Sequence, residues 1–156
     1  QLFRSKLGLQ SVEDADTSLI ERLLQAMHDS RVDFTNFFRS LSNLKKDSKP
    51  IEIMQRNEFI DRENIDQWFA DYINRLQSEV LSDEERKGLM NQVNPKYILR
   101  NYLAQTAIEK AQQDDFSEVQ TLQQILMHPF DEQEACEQYS NPPPIDMQAI
   151  AVSCSS

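Results

Sequence analysis

Only two glycines, Gly8 and Gly88, occur among the 156 residues, and this scarcity limits the folds open to the chain. Tight β-hairpin turns commonly need glycine, because glycine adopts positive backbone φ angles at little cost. Loops that cradle phosphate need two or three glycines close together, whereas these two lie far apart in the sequence. The sequence therefore argues against a β-rich fold and against a glycine-rich nucleotide loop within these residues.

Apolar residues recur at helical spacing along most of the chain, which predicts an all-α fold. The clearest case lies between Asp61 and Glu79, where apolar side chains follow one another at helical intervals. These side chains are Ile65, Trp68, Phe69, Tyr72, Ile73 and Leu76. Apart from a weak Ile51/Ile53 pair, no segment alternates as a strand would. We therefore expect a helical bundle of about six helices with an irregular, proline-rich C-terminal tail.

Several residues mark where helices should begin. The capping-box pattern, in which two residues bond each other's backbone N–H groups, occurs at Ser18 with Glu21 and at Ser82 with Glu85. The Asn94–Pro95 pair favours another start, since Asn caps well and Pro loses no hydrogen bond at the first helical position. That helix is expected to run to about Gln113. A first short helix should end at Gly8, and a further helix should begin near Asp33. Ser117 should cap the last helix, in which the residues expected to point inward are Val119, Leu122, Ile125 and Leu126.

The helical pattern ends near residue 130, which sets the expected domain division. Residues 1–130 should form a helical domain, and residues 131–156 an irregular tail in which Asn141–Pro144 cannot be helical. The chain begins with Gln1 rather than Met, and no signal-like apolar stretch follows. We therefore expect a piece of a longer protein. A cytoplasmic origin is expected because two cysteines without a secretory signal do not indicate a disulfide framework.

Acidic residues outnumber basic ones by 26 to 16, which gives a net charge of −10. Phosphate binding needs a surplus of Lys and Arg, so this charge argues against nucleic acid as a partner. Anionic membrane surfaces are disfavoured by the same repulsion. The longest apolar run, Ala149–Val152, is far too short to cross a bilayer. We therefore expect neither a nucleic-acid partner nor a membrane partner.

The sequence contains no motif that indicates a catalytic or metal-binding site by itself. The two histidines, His28 and His128, belong to no His-Glu-x-x-His motif, and the acidic residues near His128 lie beyond a proline. Carboxylate runs at residues 83–85 and 114–115 fall at expected helix N-termini, where negative charge is stabilising, so capping is the better interpretation. We predict no catalytic, cofactor-binding or metal-binding residue in this chain.

The stretch Pro95–Gln105 combines basic and amide side chains with apolar ones on one expected helix. Its apolar residues, Tyr97 and Tyr102 among them, share one side, and Arg100 and Asn101 flank them. Two interpretations stay open: an internal polar network, or a docking surface for a missing part of the protein. Tyr97, Arg100, Asn101 and Tyr102 are the candidate interdomain docking residues.

The two cysteines, Cys136 and Cys154, both fall in the expected tail. Cys154 lies third from the end of a serine-rich stretch, where a side chain is exposed by default. A labile disulfide, a redox sensor and no role at all stay open for this thiol.

The segments Asn94–Gln105 and Val152–Ser156, which read NPKYILRNYLAQ and VSCSS, are the most specific pieces of the sequence. They are joined by Ala107–Ala111, Asp115–Glu118 and Pro129–Phe130, and more weakly by Lys6–Leu9 and Asp33–Arg39. Together these segments resemble the SelO family, also called YdiU, over essentially the whole chain.

The resemblance implies functions that the residues alone do not show. SelO proteins have a protein-kinase-like fold, bind ATP and transfer AMP to Ser, Thr or Tyr hydroxyls of other proteins, using Mg²⁺ or Mn²⁺. Their catalytic residues would lie upstream, so this chain would be a non-catalytic C-terminal helical region packed on the kinase-like domain of its full-length parent enzyme. The family's terminal cysteine can form a disulfide in bacterial members, which assigns Cys154 a redox role and leaves Cys136 without one.

The sequence departs from the family pattern at one place, and it leaves one alternative function open. Residues 142–146 read Pro-Pro-Pro-Ile-Asp where relatives often have Pro-Pro-x-Trp-Gly, which leaves the packing of the tail open. The alternative function is a stand-alone acidic helical module that binds another protein. A kinase-like domain encoded upstream of Gln1 would favour the first interpretation, and a start codon just before Gln1 the second.

Overall fold

A computed structural model of the chain describes residues 1–144 and residue 147. These residues contain α-helices and 3₁₀ helices and no β-strand, so the predicted all-α fold is confirmed. The α-helices are α1 (Leu2–Lys6), α2 (Asp16–Ser30), α3 (Phe34–Leu41), α4 (Arg62–Gln77), α5 (Asp83–Val93), α6 (Asn101–Ala111) and α7 (Ser117–Met127). The 3₁₀ helices are Pro50–Glu52, Met54–Glu58 and Glu134–Ser140. No helix in this part of the chain is both long and apolar enough to cross a membrane.

The chain divides into two compact units, residues 1–94 and residues 95–156. The first unit contains α1 to α5, and the second contains α6, α7 and the 3₁₀ helix Glu134–Ser140. The border between the units falls at the Asn94–Pro95 pair. The separate expectation, a helical domain over residues 1–130 followed by a tail, stays a prediction.

Helix α4 supplies the centre of the first unit with aromatic side chains. Trp68 and Tyr72 lie one turn apart and stack with ring centroids 5.0 Å apart. Each ring also satisfies its polar atom: Trp68 Nε1 donates to the Leu19 carbonyl at 2.8 Å, and the Tyr72 hydroxyl donates to the Leu7 carbonyl at 2.6 Å. Buried aromatic rings remove large apolar areas from water, and their bonded polar atoms fix how α4 sits against α1 and α2.

Gly8 ends α1, as predicted, with a left-handed backbone φ of +71°. A Cβ atom at this position would lie 2.7 Å from Arg86 Cγ and 2.9 Å from Met90 Sδ. The turn therefore needs glycine for two reasons, its backbone conformation and the close approach of α5.

A buried ionic network holds the segment between α1 and α2 against α4. Arg75 Nε donates to Asp16 at 2.8 Å, its Nη1 donates to Glu79 at 2.8 Å, and its Nη2 donates to the Ser11 carbonyl at 3.1 Å. Burial alone would raise the pKa of Asp16 and of Glu79, but the hydrogen bonds that these carboxylates accept, including those from Arg75, outweigh it and lower both pKa values. The network is satisfied only while all three charges are present.

Local cap signals gave mixed results. Ser82 and Glu85 form the predicted capping box at the start of α5, and Asp33 accepts the Asn36 N–H at 2.9 Å at the start of α3. The predicted capping box at Ser18 is wrong: α2 begins at Asp16, whose side chain accepts the Glu13 N–H at 3.1 Å. Ser117 is also not a cap, since it is already the first residue of α7.

The predicted helix from Pro95 to Gln113 is wrong over residues 95–100. Asn94 follows the end of α5, and its side chain bonds to Lys6 instead of capping a new helix. The N–H groups of Lys96 and Tyr97 both donate to the Pro129 carbonyl, at 2.8 and 3.1 Å, so residues 95–100 are not helical and α6 begins only at Asn101. The conformation of residues 95–100 thus depends on Pro129, which lies more than thirty positions further along the sequence.

The second unit is a hairpin of α6 and α7 with a small apolar core. Leu103, Ala107 and Leu122 form that core, and Tyr102 and Tyr139 pack against it half-buried. Tyr139 belongs to the 3₁₀ helix Glu134–Ser140, so the segment predicted to be an irregular tail contributes to the packing of this unit.

Candidate functional site

The four predicted docking residues lie between residues 97 and 102, at the start of the second unit. Lys96 anchors this segment: its ammonium group bonds the carboxylates of Glu132 and Glu137. Burial lowers the pKa of Lys96, but the hydrogen bonds to these two carboxylates outweigh it and raise the pKa. The segment is thus held by charge as well as by the two backbone hydrogen bonds to Pro129.

Tyr97 is the most buried of the four, with 1% of its surface exposed. Its hydroxyl donates to the Gln133 carbonyl at 3.1 Å, and burial raises its pKa. The Gln133 side chain in turn donates to the carbonyls of Ile125 and His128, at 3.1 and 2.9 Å, at the end of α7. Tyr97 therefore links the start of the unit to the chain that follows α7.

Arg100 and Tyr102 bond the chain at the end of the 3₁₀ helix Glu134–Ser140. Arg100 Nη2 donates to the Ser140 carbonyl at 3.3 Å, and the Tyr102 hydroxyl donates to the Asn141 carbonyl at 3.0 Å. Burial raises the pKa of Tyr102. Asn101, by contrast, is exposed as the first residue of α6.

Three of the four predicted residues thus donate to backbone carbonyls of residues 133–141. These contacts favour the interpretation as an internal polar network, which fixes residues 133–141 to α6. Docking of another part of the protein on these side chains stays a prediction.

The described residues contain no cluster of metal-ligating side chains. No group of three or more His, Cys, Asp or Glu side chains could hold a metal within residues 1–144 and 147. His128 Nδ1 and an Asp131 carboxylate oxygen lie 3.6 Å apart, and both side chains are about two-thirds exposed. The chain also lacks neighbouring glycines for a phosphate loop. That this chain holds neither ATP nor Mg²⁺ or Mn²⁺ stays a prediction.

The cysteines have different surroundings. Cys136 is a half-buried free thiol in the 3₁₀ helix Glu134–Ser140. Cys154 lies outside the described residues, so its predicted redox role is not addressed by the structure.

One feature escaped the sequence prediction: an uncharged outer side on α7. Phe116, Val119 and Met127 are exposed there, although Val119 was expected to point inward. Leu122 and Ile125 are buried as predicted. The signal was available, because residues 119–127 contain no charged side chain.

Comparison with known proteins agrees with the resemblance. The family model described as "Protein adenylyltransferase SelO" matches residues 1–127. A relative from Burkholderia multivorans is 48% identical over 153 residues, which are 98% of this chain and 29% of the relative. A relative from Ralstonia nicotianae is 42% identical over 99% of this chain and 30% of its own length. One from Herminiimonas arsenicoxydans is 47% identical over 100% of this chain and 31% of its own length.

Each of these relatives is named "Protein nucleotidyltransferase YdiU". This all-α region therefore corresponds to a part of a protein nucleotidyltransferase. The chain belongs to the SelO family, as the resemblance predicted. It spans only 29–31% of the length of these three relatives.

Proposed function

We propose that the chain is the C-terminal, non-catalytic helical part of a longer SelO-type protein adenylyltransferase. The complete protein would transfer AMP from ATP to Ser, Thr or Tyr hydroxyls of protein substrates in the bacterial cytoplasm. One observation carries the proposal: relatives named nucleotidyltransferases match this chain over less than a third of their length. Within the described residues, no group of three or more His, Cys, Asp or Glu side chains could hold a metal ion.

ATP and Mg²⁺ or Mn²⁺ would be bound by residues outside this chain, in an upstream kinase-like domain. The role of this chain would be to support that domain. The hydrogen bonds between residues 95–102 and residues 129–141 would present this segment to that domain in one conformation. Docking through Tyr97, Arg100, Asn101 and Tyr102 belongs to this proposal.

The test compares the 156-residue chain with the complete gene product. Both are incubated with a protein substrate, Mg²⁺ or Mn²⁺, and ATP that carries its label on the α-phosphate. The complete protein should transfer the label to protein, and the chain alone should not. Transfer by the chain alone, or no transfer by the complete protein, would contradict the proposal.

The proposal includes a redox role for Cys154, which the family resemblance supports. Two thiols would lose two protons and two electrons to an oxidant such as a peroxide and form a disulfide between Cys154 and a cysteine of the upstream domain. Mass spectrometry of the oxidised complete protein should show Cys154 in a disulfide, also in the Cys136→Ser variant. A Cys154 that stays a thiol under oxidation would remove this part of the proposal.

A further inference from the structure

Helix α7 has exposed apolar side chains beside its buried ones. Leu122 and Ile125 are buried on its inner side. Phe116, which directly precedes α7, and Val119 and Met127 within it follow one another at intervals of three and eight residues, which puts them in one stripe beside the inner side, with Gln123 between them. They are 54%, 43% and 69% exposed. We call Phe116, Val119, Gln123 and Met127 the outer face of α7.

The outer face of α7 also lacks charge. Residues 119–127 contain no Asp, Glu, Lys, Arg or His, in a chain where charged residues make up 27%. A solvated helix face normally carries charged side chains, whereas this face carries apolar residues and an uncharged glutamine. Depletion of charge together with Phe and Met is the composition found at the centre of protein interfaces.

We propose that the outer face of α7 is covered in the complete protein by the part of the polypeptide that lies outside these 156 residues. This inference rests on the proposed function, because it needs a longer protein. About two-thirds of the length of the named relatives lies outside the region that this chain matches, which provides a candidate for the cover.

The size of the face favours a segment of the same polypeptide over a second copy of the chain. An 11-residue helix is about 16 Å long and about 10 Å wide, so the face is much smaller than the roughly 800 Å² that each partner buries in a standard stable complex. Such an area is too small to hold two separate molecules together. It suffices within one polypeptide, where linkage keeps the local concentration of the partner surface at about the millimolar level.

The uncharged composition points the same way. Interfaces that form and dissociate tend to be more polar than permanent ones, which resemble a protein core. The partner surface should therefore be apolar and uncharged, and permanently in place.

The first experiment identifies the cover directly. Gln123 is replaced in the complete protein by a benzophenone amino acid, which bonds to whatever lies against it on illumination. Mass spectrometry should find it joined to a peptide from outside these 156 residues. The same replacement at the exposed Gln112, which follows the end of α6, should give at least tenfold less product. Cross-links to residues 145–156, to a second copy, or to nothing would overturn the proposal.

The second experiment uses an isosteric charge. Gln123→Glu should leave the unfolding temperature of the 156-residue chain unchanged, because the side chain is exposed there. It should lower the unfolding temperature of the complete protein by several degrees, because the charge is then buried. Gln112→Glu is the matched control and should shift both proteins equally. Equal shifts for Gln123→Glu would contradict the proposal.

These tests separate this inference from the proposed function. Label transfer by the unsubstituted complete protein reports on the function, whereas the cross-link reports on the face. An active protein without a cross-link would reject only the inference, and an inactive protein with one would reject only the function.

Discussion

The two compact units bury apolar side chains to very different extents. The first unit encloses a continuous core of aromatic and aliphatic residues from α1 to α5, with Phe37, Trp68, Phe69 and Tyr72 at its centre. The described part of the second unit has a small core of Leu103, Ala107 and Leu122 with two half-buried tyrosines against it, and Tyr97 and Ile125 are buried besides. Its exposed large apolar residues are Leu99, Ile108, Phe116, Val119, Met127 and Phe130.

This difference separates a unit held by its own core from one held largely by polar contacts. In the second unit, residues 129–141 are held by polar contacts from Lys96, Tyr97 and Tyr102. These contacts stabilise a unit whose apolar core is small. Individual hydrogen bonds contribute only about 1 kcal/mol each, so a unit of this kind should be the less stable of the two. It should gain the most from a partner that covers α7.

The largest expected effect is the removal of a core ring from the first unit. Phe37→Ala should lower the free energy of unfolding by about 3–5 kcal/mol, since the ring is fully buried and packs 5.5 Å from Phe59 between centroids. Trp68 is the only tryptophan, so urea unfolding followed by its fluorescence reports on the first unit. Phe116→Ala, at an exposed ring of the second unit, is the control and should leave this transition in place. Equal effects of the two substitutions would erase the contrast between the units.

Loss of the buried ionic network should also be costly. Arg75→Met leaves Asp16 and Glu79 buried without their cation, which should cost about 3 kcal/mol or more at neutral pH. The control is Arg22→Met, which breaks the exposed pair with Asp71 and should cost less than about 1 kcal/mol. The same urea unfolding experiment measures both.

The pH dependence checks the same network. The folded-state pKa values of Asp16 and Glu79 lie below the ordinary values of 3.8 and 4.5, so the unfolded chain binds these protons more readily. Their contribution to stability is complete above the unfolded-state values and is lost as the pH falls through the folded-state ones. The free energy of unfolding of the first unit should fall as the pH drops below about 5. In Arg75→Met this decline should weaken or reverse, and an unchanged decline would show that the network is not its source.

The two glycines provide a matched pair with opposite signs. Gly8→Ala should destabilise the first unit by about 1–3 kcal/mol, because φ is +71° and the new Cβ would meet Arg86. Gly88→Ala should stabilise it by about 0.5–1 kcal/mol, because this glycine lies inside α5 and a Cβ there meets nothing within 4 Å. Thermal unfolding of both variants gives the comparison, and two changes of the same sign would be inconsistent with this structure.

The smallest expected effect concerns a polar contact of the second unit. Tyr97→Phe removes the hydroxyl that donates to the Gln133 carbonyl and should cost about 1 kcal/mol. Hydrogen exchange should show faster exchange in residues 129–141 and no change in α4. Tyr102→Phe, whose hydroxyl bonds the Asn141 carbonyl near the surface, serves as the milder control. A Tyr97→Phe variant that exchanges as the unsubstituted chain does would show that the contact does not hold the segment.

The sequence predicted those features that depend on neighbouring residues. The periodicity of α4 and the capping box at Ser82 need only residues within a few positions, and both are confirmed. The helix predicted from Pro95 failed because the Pro129 carbonyl binds the backbone of Lys96 and Tyr97. Cap propensities contain no information about so distant an acceptor.

The contacts of the candidate site also depend on residues that are distant in the sequence. Tyr97, Arg100 and Tyr102 were recognised as unusual, but their carbonyl partners between residues 133 and 141 could not be identified without the fold. The buried network around Arg75 was missed for the same reason, since Asp16 and Ser11 lie about sixty positions away. The absence of charge from residues 119–127 could be read from the sequence, but the exposure of Val119 could not.

Hydrogen exchange of the chain and of the complete protein, measured side by side, tests the contrast between the units most directly. Amide protection reports local stability, and α4 should be protected to the same degree in both proteins. Protection of α7 should be weak in the 156-residue chain and at least tenfold stronger in the complete protein. If α7 is already protected as strongly as α4 in the chain alone, and gains nothing in the complete protein, the second unit needs no cover and the account is wrong.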